Sequence, residues 1–375
     1  MAKILNILFS NQCDHAAVIY LHKKIAQHLS VHDGYEVSHL VFLGDETGLS
    51  VSDNQKSVKY MNADKRSAKG KSWIKGVLFR HNINKIIANG KFDCIICDGF
   101  GVLSQLNKNI SIPVIVIIHG KASPKNKKRM IRLIGSLNVT LVAVSSVVHK
   151  HLSLLSITEE EKIKTISNSV DFKELQNSFY KKNEARLRLG LSNDDFVIGT
   201  VGRQVKCKRH DTIIQSLGWL KEHDRLPEKI KLVIIGDGEC YEKNRILANE
   251  VGVNNNVVFL GAIENAGRYL QAFDLYVMAS STEGMSISLF ESIAAKIPVI
   301  VSDCDAFEIV VSDKNVFFKV GDYANLGGKI HEYANCLEKR KSSQEIIYAY
   351  AKEHFDVGDF LNSYSDTISS SLLDK

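Results

Sequence analysis

The chain has 375 residues, of which 45% are hydrophobic and 24% are charged, with 24 glycines and 4 prolines. This composition is that of an ordinary globular protein and excludes collagen-like, low-complexity and disordered chains. The length exceeds what one hydrophobic core usually serves, so two domains are expected. The longest apolar run, residues 112–118, is far shorter than the roughly 20 residues that a membrane-spanning helix needs.

The cysteines and the N-terminus predict a cytoplasmic protein. Seven scattered cysteines form no disulfide framework and suit a reducing compartment. The first apolar run is short and has no small-residue cleavage site, so it is typical of a first strand rather than of a signal peptide.

The net charge of +6 is unevenly distributed. Residues 1–180 hold 24 Lys/Arg against 14 Asp/Glu, or +10, and the remaining residues hold 24 against 28, or −4. The basic half is therefore expected to face an anionic partner: nucleic acid, an anionic membrane or an anionic substrate.

Short apolar strands alternate with longer amphipathic helices, which predicts parallel sheets covered on both faces. In the first half the pattern predicts strands at 4–9, 37–43, 94–97, 114–119 and 141–145 and a helix at 16–29. A turn at 168–171 and a polar helix at 172–189 follow. The second half restarts with strands at 196–201, 231–235, 257–260, 275–278 and 299–301 and a helix at 211–223.

This order predicts two doubly wound α/β domains. The expected boundaries are 1–171 and 186–355, with a linker at 172–185 and a last helical segment, 356–375, that crosses back to the first domain. Ligands of such folds bind at the carboxyl ends of the strands, and here also in the cleft between domains.

The densest chemical pattern follows the strand at 275–278 and opens a helix. A helix start presents unpaired N–H groups and a positive dipole end, which suits a phosphate. Glu283 precedes this helix and Glu291 lies about a turn and a half into it, so both carboxylates can face one anion site. Such a pair suits a ligand with hydroxyls on both sides of a phosphate. Helix capping by Glu283 with a solvated Glu291 is the structural alternative.

A second pattern combines a glycine turn with two cations. Gly202-Arg203 follows the strand at 196–201, and Lys208 comes five residues later. Arginine can grip two phosphate oxygens at once, so this is a second phosphate-binding design, although solvated surface cations would look the same. Gly236-Asp-Gly238, after another strand, is expected only to form a turn.

Together these patterns resemble the nucleotide-sugar-dependent glycosyltransferases of the GT-B fold, specifically the retaining glycosyltransferase family 4. The Glu283…Glu291 pair resembles the Glu–seven residues–Glu motif of that family, and Gly202-Arg203…Lys208 its Gly-Arg…Lys element. Further similar segments, in the family's order, are Asn168–Asp171, Val258–Gly261, Asp274–Val277 and Ile297–Asp303. The resemblance implies a GT-B architecture, in which two Rossmann-like domains face a central cleft.

The resemblance also implies roles for individual residues. The donor diphosphate would be bound by Arg203, Lys208, Ile287 and Ser288, the last two through backbone N–H groups. The donor sugar would be bound by Glu283, Gly284, Met285 and Ser286, and the ribose by Glu291. His119, at the end of the strand 114–119, and Glu283 would be catalytic; a histidine bonded to a loop is the alternative for His119.

No metal or other cofactor is expected, because two fixed cations and a helix end can supply the charge that a metal would. Asp303-Cys304-Asp305 is similar to a metal-binding Asp-x-Asp motif, but its place after a core strand predicts a loop. Cys94 and Cys97 are predicted to be core residues rather than a metal or redox site. The sequence departs from the family at 10–15 and 304–306, where glycines are expected.

The predicted function is a retaining glycosyltransferase that moves a sugar from a nucleotide-diphosphate sugar, with UDP-sugars favoured. The acceptor would be a glycan or lipid-linked glycan in bacterial lipopolysaccharide, O-antigen or capsule synthesis. A same-fold epimerase or phosphorylase is the alternative, followed by a non-catalytic basic protein that binds membranes or nucleic acid. A nicotinamide-dependent dehydrogenase is disfavoured because G-x-G-x-x-G is missing.

Two basic segments, 56–80 and 121–132, predict peripheral association with the inner face of the cytoplasmic membrane. Tyr60, Trp73 and Phe79 lie within the first segment and would add interfacial insertion. The second segment contains none of the aromatic residues that stack on bases, so no nucleic-acid partner is expected.

Overall fold

The computed structural model describes residues 1–9, 16–42, 57–61 and 73–373. The chain divides into two compact units, Met1–Asn168 with Gly358–Lys375, and Ser169–Val357. Each unit contains one parallel sheet with helices around it. Among the described residues, no helix is long and apolar enough to cross a bilayer.

The sheet of the first unit has seven strands. They are β1 (Lys3–Phe9), β2 (Glu36–Phe42), β3 (Ser57–Met61), β4 (Cys94–Asp98), β5 (Val114–Ile118), β6 (Val139–Ala143) and β7 (Ile163–Thr165). Their order is β3-β2-β1-β4-β5-β6-β7, and every neighbouring pair is parallel. All five residues of β5 are buried, as expected for a strand covered on both faces.

Helices of the first unit connect these strands. They are α1 (Ala16–Val31), α2 (Trp73–Gly90), α3 (Gly99–Leu103), α4 (Lys127–Ile134) and α5 (Ser146–Leu155). The last helix of the chain, Val357–Leu373, also contributes to this unit from Gly358 onward. Tyr35 Oη lies 3.0 Å from Ser369 Oγ, and the Ser365 hydroxyl donates to Asp33, so hydrogen bonds as well as packing hold this helix.

The second unit contains a six-stranded sheet. Its strands are β8 (Phe196–Val201), β9 (Ile230–Ile235), β10 (Val257–Gly261), β11 (Leu275–Met278), β12 (Val299–Ser302) and β13 (Phe317–Phe318), in the order β10-β9-β8-β11-β12-β13. Its helices are α6 (Phe172–Ser178), α7 (Lys182–Arg188), α8 (His210–Glu222), α9 (Tyr241–Glu250), α10 (Ile287–Ala294), α11 (Asp305–Val310), α12 (Tyr323–Asn335) and α13 (Leu337–His354). All strand pairs are parallel.

The strand order places a crevice beside β8. The chain winds outward from β8 through β9 to β10, then returns to the other side of β8 with β11. The loops that leave the carboxyl ends of β8 and β11 therefore diverge from neighbouring strands. Such a reversal is where open α/β sheets bind ligands, and both predicted phosphate-binding patterns follow these two strands.

The predicted helix at 172–189 is wrong as one helix, because the structure has two, α6 and α7. Between them the Tyr180 N–H donates to the Arg268 carbonyl at 2.8 Å. The Tyr180 ring also lies 4.2 Å from the Arg268 guanidinium and 4.4 Å from that of Arg188. These contacts with residues distant in sequence interrupt the helix.

Residues 172–185, which the sequence sets apart as a linker, group with the second unit. Phe172 is 2% exposed and the Arg186 side chain 1% exposed, so both are part of its core. Arg186 Nη2 donates to Asp274 Oδ2 at 2.6 Å, and the same oxygen accepts from the Val197 N–H at 2.8 Å. Asp274 thereby joins α7 to the starts of β8 and β11.

Three strands, β3, β7 and β13, are absent from the prediction; β7 and β13 have only three and two residues. The other strands lie where the apolar pattern predicts them, within one or two residues. The predicted strand at 37–43 ends at Phe42, since residue 43 lies outside the described residues.

Candidate active site

The loop after β8 begins the site in the second unit. Gly202 and Arg203 follow the strand directly, and Lys208 ends a single 3₁₀ turn, Lys206–Lys208. The aliphatic stem of Lys208 passes 3.8 Å from the position that a Cβ on Gly202 would take. The lysine side chain therefore runs back along the glycine turn toward the end of β8.

Close backbone packing holds this loop against the loop after β9. A Cβ on Gly236 would lie 2.0 Å from the Gly202 carbonyl oxygen, and one on Gly238 would lie 2.5 Å from that of Gln204. The buried Gln204 amide donates to the Gly236 carbonyl at 2.9 Å and accepts from Asn244 Nδ2 at 2.7 Å. Gly236-Asp-Gly238 is thus more than the turn predicted from the sequence, because its glycines allow the two loops to approach.

The loop after β11 is fixed from two sides. Ser302 Oγ donates to the Ser280 carbonyl at 2.6 Å, and the Ser281 N–H donates to the Cys207 carbonyl at 2.8 Å. Since Cys207 precedes Lys208, the second bond brings the loop of Glu283 beside the lysine.

Lys208 and Glu283 form an ion pair across the two loops. Lys208 Nζ donates to Glu283 Oε1 at 2.5 Å, and Ser280 Oγ donates to the same oxygen at 2.7 Å. The side chains are 20% and 12% exposed, so both groups are largely shielded from water while still reaching the surface. The structure therefore brings together a predicted diphosphate-binding cation and a predicted sugar-binding carboxylate.

The start of α10 lies directly after this loop. Gly284, Met285, Ser286 and Ile287 are buried, and Ser288 is partly exposed. The N-cap residue, Ser286, makes no capping bond with its side chain, which instead lies 3.1 Å from Ser288 Oγ. The first-turn N–H groups of α10 are therefore not used by a capping side chain, which suits an anion.

Tyr276, in β11, is 0% exposed and links the end of β8 to the first turn of α10. Its hydroxyl donates to the Val201 carbonyl at 3.3 Å and hydrogen-bonds with Ser288. Burial raises the pKa of this phenol strongly, and the charges of Glu291 and Glu283 raise it further. Both carboxylates are thus near one buried hydroxyl, as the prediction of a shared crevice requires.

Glu291 is the most perturbed acid of the site. Burial raises the pKa of its carboxyl group to about 7. A Cβ on Gly267 would lie 2.9 Å from Glu291 Oε1, so the carboxyl group packs against the backbone of a neighbouring 3₁₀ segment, Ala266–Ala272. Its oxygens have no hydrogen bond or ion pair with the residues that the structure describes, and an acceptor in this state suits a ligand hydroxyl.

Arg203 makes no hydrogen bond or ion pair with Lys208, Glu283 or Glu291. Its side chain is exposed, and it forms no hydrogen bond or ion pair within the described part of the chain. It stands one residue after the glycine turn, so its reach to the start of α10 depends on its rotamer. Its predicted role in diphosphate binding stays a prediction.

His119 belongs to the first unit, where it follows β5. Its Nε2 lies 3.4 Å from Asp98 Oδ1, and burial lowers the pKa of its imidazole to about 4, so the ring is neutral at pH 7. Its catalytic role is a prediction that no geometry within the first unit tests. The loop at 10–15, a departure from the family pattern, lies outside the described residues.

Two motifs that were not expected to bind a metal, Asp303-Cys304-Asp305 and Cys94…Cys97, lie in a connecting segment and in a core strand, respectively. Asp303 Oδ1 accepts from the Val320 N–H at 2.7 Å, and Asp305 begins α11, so the Asp-Cys-Asp segment joins a strand to a helix. Cys94 and Cys97 are both 0% exposed in β4, in agreement with the prediction that they are core residues.

Residues 181–352 match the family model described as glycosyl transferases group 1. This segment of the second unit, a little under half of the chain, is therefore similar to the group 1 glycosyl transferases. The predicted resemblance to glycosyltransferases is confirmed at the level of this group, whereas the narrower resemblance to family 4 stays a prediction.

Curated relatives of this chain include two from Escherichia coli. The UDP-Gal:alpha-D-GlcNAc-diphosphoundecaprenol alpha-1,3-galactosyltransferase is 24% identical over 245 residues, which cover 62% of this chain and 63% of that protein. The O-antigen biosynthesis glycosyltransferase WclY is 30% identical over 145 residues, or 38% of each chain. These alignments span less than two thirds of the relatives' own length.

A solved structure covers the whole fold. HepE from Anabaena, crystallised with UDP and glucose, superposes with a TM-score of 0.82 at 17% identity, covering 99% of this chain and 100% of that one. Similarity at this identity shows the fold alone. It confirms the predicted GT-B class of two Rossmann-like domains.

Sequence reasoning missed three contributors to the candidate site: Tyr276, Gly267 and Gln204. Tyr276 is one residue of an apolar strand, Gly267 belongs to a short 3₁₀ segment, and Gln204 stands in a loop; none of them is part of a recognisable pattern. Their importance depends on which distant residues they contact, and no local signal carries that information.

Proposed function

We propose that this protein is a retaining glycosyltransferase that takes its sugar from a nucleotide-diphosphate donor, with UDP-sugars favoured. The acceptor is a glycan or lipid-linked glycan in bacterial lipopolysaccharide, O-antigen or capsule synthesis. The match of residues 181–352 to the group 1 glycosyl transferases supports the transferase activity. The similar fold of HepE, which was solved with UDP and glucose, supports the donor class. The two E. coli relatives support the acceptor class.

One observation carries the proposal: Lys208 pairs with Glu283 directly before α10, the helix that contains Glu291. Lys208 Nζ is 2.5 Å from Glu283 Oε1, and the charges of both carboxylates raise the pKa of the buried Tyr276 hydroxyl. A cation and open N–H groups in the middle suit a diphosphate, and a carboxylate on each side suits the hydroxyls of a sugar and a ribose. A nucleotide-diphosphate sugar has this order of groups.

The departing diphosphate is the charge that the site must stabilise. Lys208 has three N–H donors, so it can keep one on Glu283 and turn another toward a phosphate oxygen. The first-turn N–H groups of α10 add fixed dipoles, and Arg203 adds a second cation from the exposed loop. Preorganised donors of this kind stabilise developing negative charge without a metal at the diphosphate.

Retention follows from attack on the face from which the diphosphate leaves. The bond from the anomeric carbon to the phosphate oxygen breaks, the acceptor oxygen bonds to that carbon, and the departing phosphate oxygen takes the acceptor proton. No carboxylate nucleophile is then needed, and Glu283 orients the donor sugar through its hydroxyls. His119, in the first unit, is the second catalytic residue of this proposal.

The test is a screen of UDP-, GDP- and ADP-sugars for slow hydrolysis and for transfer, with NMR of the product's anomeric centre. We expect hydrolysis of a UDP-sugar and a product with the donor's configuration. Glu283→Gln should lower turnover strongly, while the exposed Glu353→Gln, in α13, should not. An inverted centre would contradict retention, and activity only with inorganic phosphate would point to a phosphorylase.

Peripheral membrane binding is part of the proposal. Most of the segment 56–80 lies outside the described side chains, but α4 and the turn before it are described. Lys125, Lys128, Arg129 and Arg132 are exposed there, and Ile131 is 42% exposed beside them. Each such cation near an anionic leaflet contributes about 1 kcal/mol, so together they could hold the enzyme at the surface reversibly.

Co-sedimentation with liposomes measures this binding. We expect binding to anionic vesicles, loss of binding in high salt, and weaker binding for the double change Lys128→Glu and Arg129→Glu. Lys173→Glu, an exposed lysine of the second unit, is the matched control. Equal partitioning to neutral and anionic vesicles, or none to either, would reject membrane docking and leave the transferase activity untouched.

A further inference from the structure

A cluster of polar side chains, one buried and two partly exposed, lies in the first unit at the carboxyl ends of two neighbouring strands. It consists of His22 from α1, Asp98 at the end of β4, and His119 directly after β5. One ligand-type atom from each residue lies within 4.8 Å of the other two. His119 Nε2 is 3.4 Å from Asp98 Oδ1, and His22 is 0% exposed.

A hydrogen-bond chain sets the protonation of His22. Its Nδ1 lies 2.7 Å from Asn6 Oδ1, and Asn6 Nδ2 lies 3.2 Å from His39 Nδ1. An amide oxygen only accepts, so with the amide in this orientation His22 Nδ1 carries the proton. Burial above all, with His119 and His39 nearby, lowers the pKa of His22 well below its ordinary value, so the ring is neutral. The lone pair of its Nε2 is therefore available.

Two buried ring nitrogens of this cluster have no hydrogen-bond partner among the described residues. Neither His22 Nε2 nor His119 Nε2 is bonded to a described residue, although both are shielded from water. A buried polar atom without a partner usually costs about 1–3 kcal/mol, so two of them beside one carboxylate call for an explanation.

We propose that His22, Asp98 and His119 form a binding site for a divalent transition-metal ion, of which Zn²⁺ fits best. Two neutral imidazoles and a carboxylate are a zinc donor set, whereas Mg²⁺ and Ca²⁺ prefer oxygen ligands alone. At bond lengths of about 2.0–2.1 Å, neighbouring ligand atoms of a tetrahedral ion lie about 3.4 Å apart. His119 Nε2 and Asp98 Oδ1 already have this spacing.

The surroundings of His22 match those of a metal ligand. Ligating histidines almost always donate their other ring N–H to an oxygen, which fixes the tautomer and aims the ligating nitrogen. Asn6 Oδ1 does this for His22, and Asn6 itself is 0% exposed in β1. This arrangement is already complete in the protein alone.

Binding would have two consequences. An ion would tie α1 to the ends of β4 and β5 and so stabilise the first unit. It would also occupy the imidazole of His119, so Zn²⁺ should inhibit transfer; this second consequence rests on the proposed function, the first does not. The three proposed metal ligands all belong to the first unit, whereas the residues proposed to bind the donor diphosphate, for which no metal is expected, belong to the second.

Zn²⁺ binding to a second pair of histidines at the surface could be mistaken for binding to the proposed site. His28 and His32, four residues apart at the end of α1, have ring centroids 4.6 Å apart and could hold a metal weakly. The measurements therefore use the full chain with His28→Asn as the parent, after removal of metal by a chelator. His22→Asn keeps an amide that can donate to Asn6 and loses only the ligating nitrogen, and Asp98→Asn loses the charge at constant shape.

Calorimetric titration with ZnCl₂ tests the proposal. We expect one ion per chain and a loss of at least about 100-fold in affinity for His22→Asn and Asp98→Asn, of the order seen for ligand and supporting-shell changes. His210→Asn removes a buried histidine of the second unit and should leave affinity unchanged. At a free Zn²⁺ concentration about 100 times the dissociation constant, the melting temperature should rise by about 5–10 °C.

Co²⁺ gives a readout that does not depend on how the variants fold. A His₂Asp site should give the intense visible absorption of four-coordinate Co²⁺ in the parent. Weak six-coordinate absorption, no binding, or unchanged Zn²⁺ affinity in folded His22→Asn would overturn the proposal. UDP titration of the same samples reports on the donor site, so failure of the metal site and failure of the proposed function can be told apart.

Discussion

Replacing Glu291 by glutamine should make the unliganded protein more stable at high pH. The pKa of the Glu291 carboxyl group is raised from 4.5 to about 7 by burial. Each pKa unit corresponds to about 1.4 kcal/mol, so the ionised carboxylate costs at most about 3.4 kcal/mol. The side chain is partly exposed, and screening by water reduces this cost to about 1–3 kcal/mol.

The sign follows from proton binding. Between pH 4.5 and about 7 the folded protein holds the Glu291 proton and the unfolded chain has released it, so stability falls as the pH rises. Above pH 7 the cost is fully present, and below pH 4.5 it is absent. Glutamine has no such cost. The free energy of unfolding of Glu291→Gln, relative to that of the parent, should therefore be about 1–3 kcal/mol higher at pH 8 than it is near pH 4.5.

Scanning calorimetry from pH 4.5 to 8.5 measures the difference. A gain of 1–3 kcal/mol corresponds to roughly 2–12 °C in the melting temperature of a domain of this size. Glu353→Gln, an exposed glutamate of α13, is the matched control and should show no pH-dependent difference. The reasoning would be refuted if Glu291→Gln were less stable than the parent at pH 8. It would also be refuted if the stability difference between the two proteins were the same at every pH.

The same variant should lose affinity for UDP although it gains stability, because a ribose hydroxyl bonds more strongly to a carboxylate than to an amide. The ratio of the parent's UDP affinity to that of Glu291→Gln reports on Glu291 alone, because protonation of the UDP phosphate affects both affinities equally. We expect this ratio to grow from pH 5.5 to 7.5 and then to level off. A constant ratio would show that Glu291 does not contact the nucleotide.

Three further changes test other contacts. Arg203→Ala should weaken UDP binding about tenfold by isothermal titration, as expected for a lost charge-assisted bond, without changing the melting temperature. Gly267→Ala should weaken UDP binding several-fold, because the new methyl carbon would lie 2.9 Å from Glu291 Oε1 and displace the carboxyl group. Asp274→Asn should lower the free energy of unfolding by about 3–5 kcal/mol in urea, because it leaves the charge of Arg186 buried without its partner.

Each change has a matched control. Lys206→Ala removes an exposed cation three residues from Arg203 and should keep UDP affinity. Gly328→Ala adds a methyl group that meets no atom within 4 Å, and Asp194→Asn breaks only an exposed ion pair with Lys229. If a control changes as much as its test variant, the corresponding contact does not carry the effect.

The fold class could be predicted from the sequence because it depends on local patterns. Runs such as Val114–Ile118 are apolar throughout because both faces of the strand are covered, and their alternation with helices predicts two parallel sheets. The motif around Glu283 and Glu291 was likewise readable, since a loop, a helix start and a spacing of eight residues are local features. Very short strands such as β13, of two residues, carry too little pattern to be recognised.

Contacts between distant residues were decided only by the tertiary structure. Lys208 and Glu283 are 75 residues apart, and they meet because β8 and β11 are neighbours in the sheet. Tyr180 interrupts a helix that its own sequence would continue, since its ring packs against Arg268. Periodicity tells which face of an element is buried, but strand order determines what lies opposite that face, and the chemistry of this site is made from such pairs.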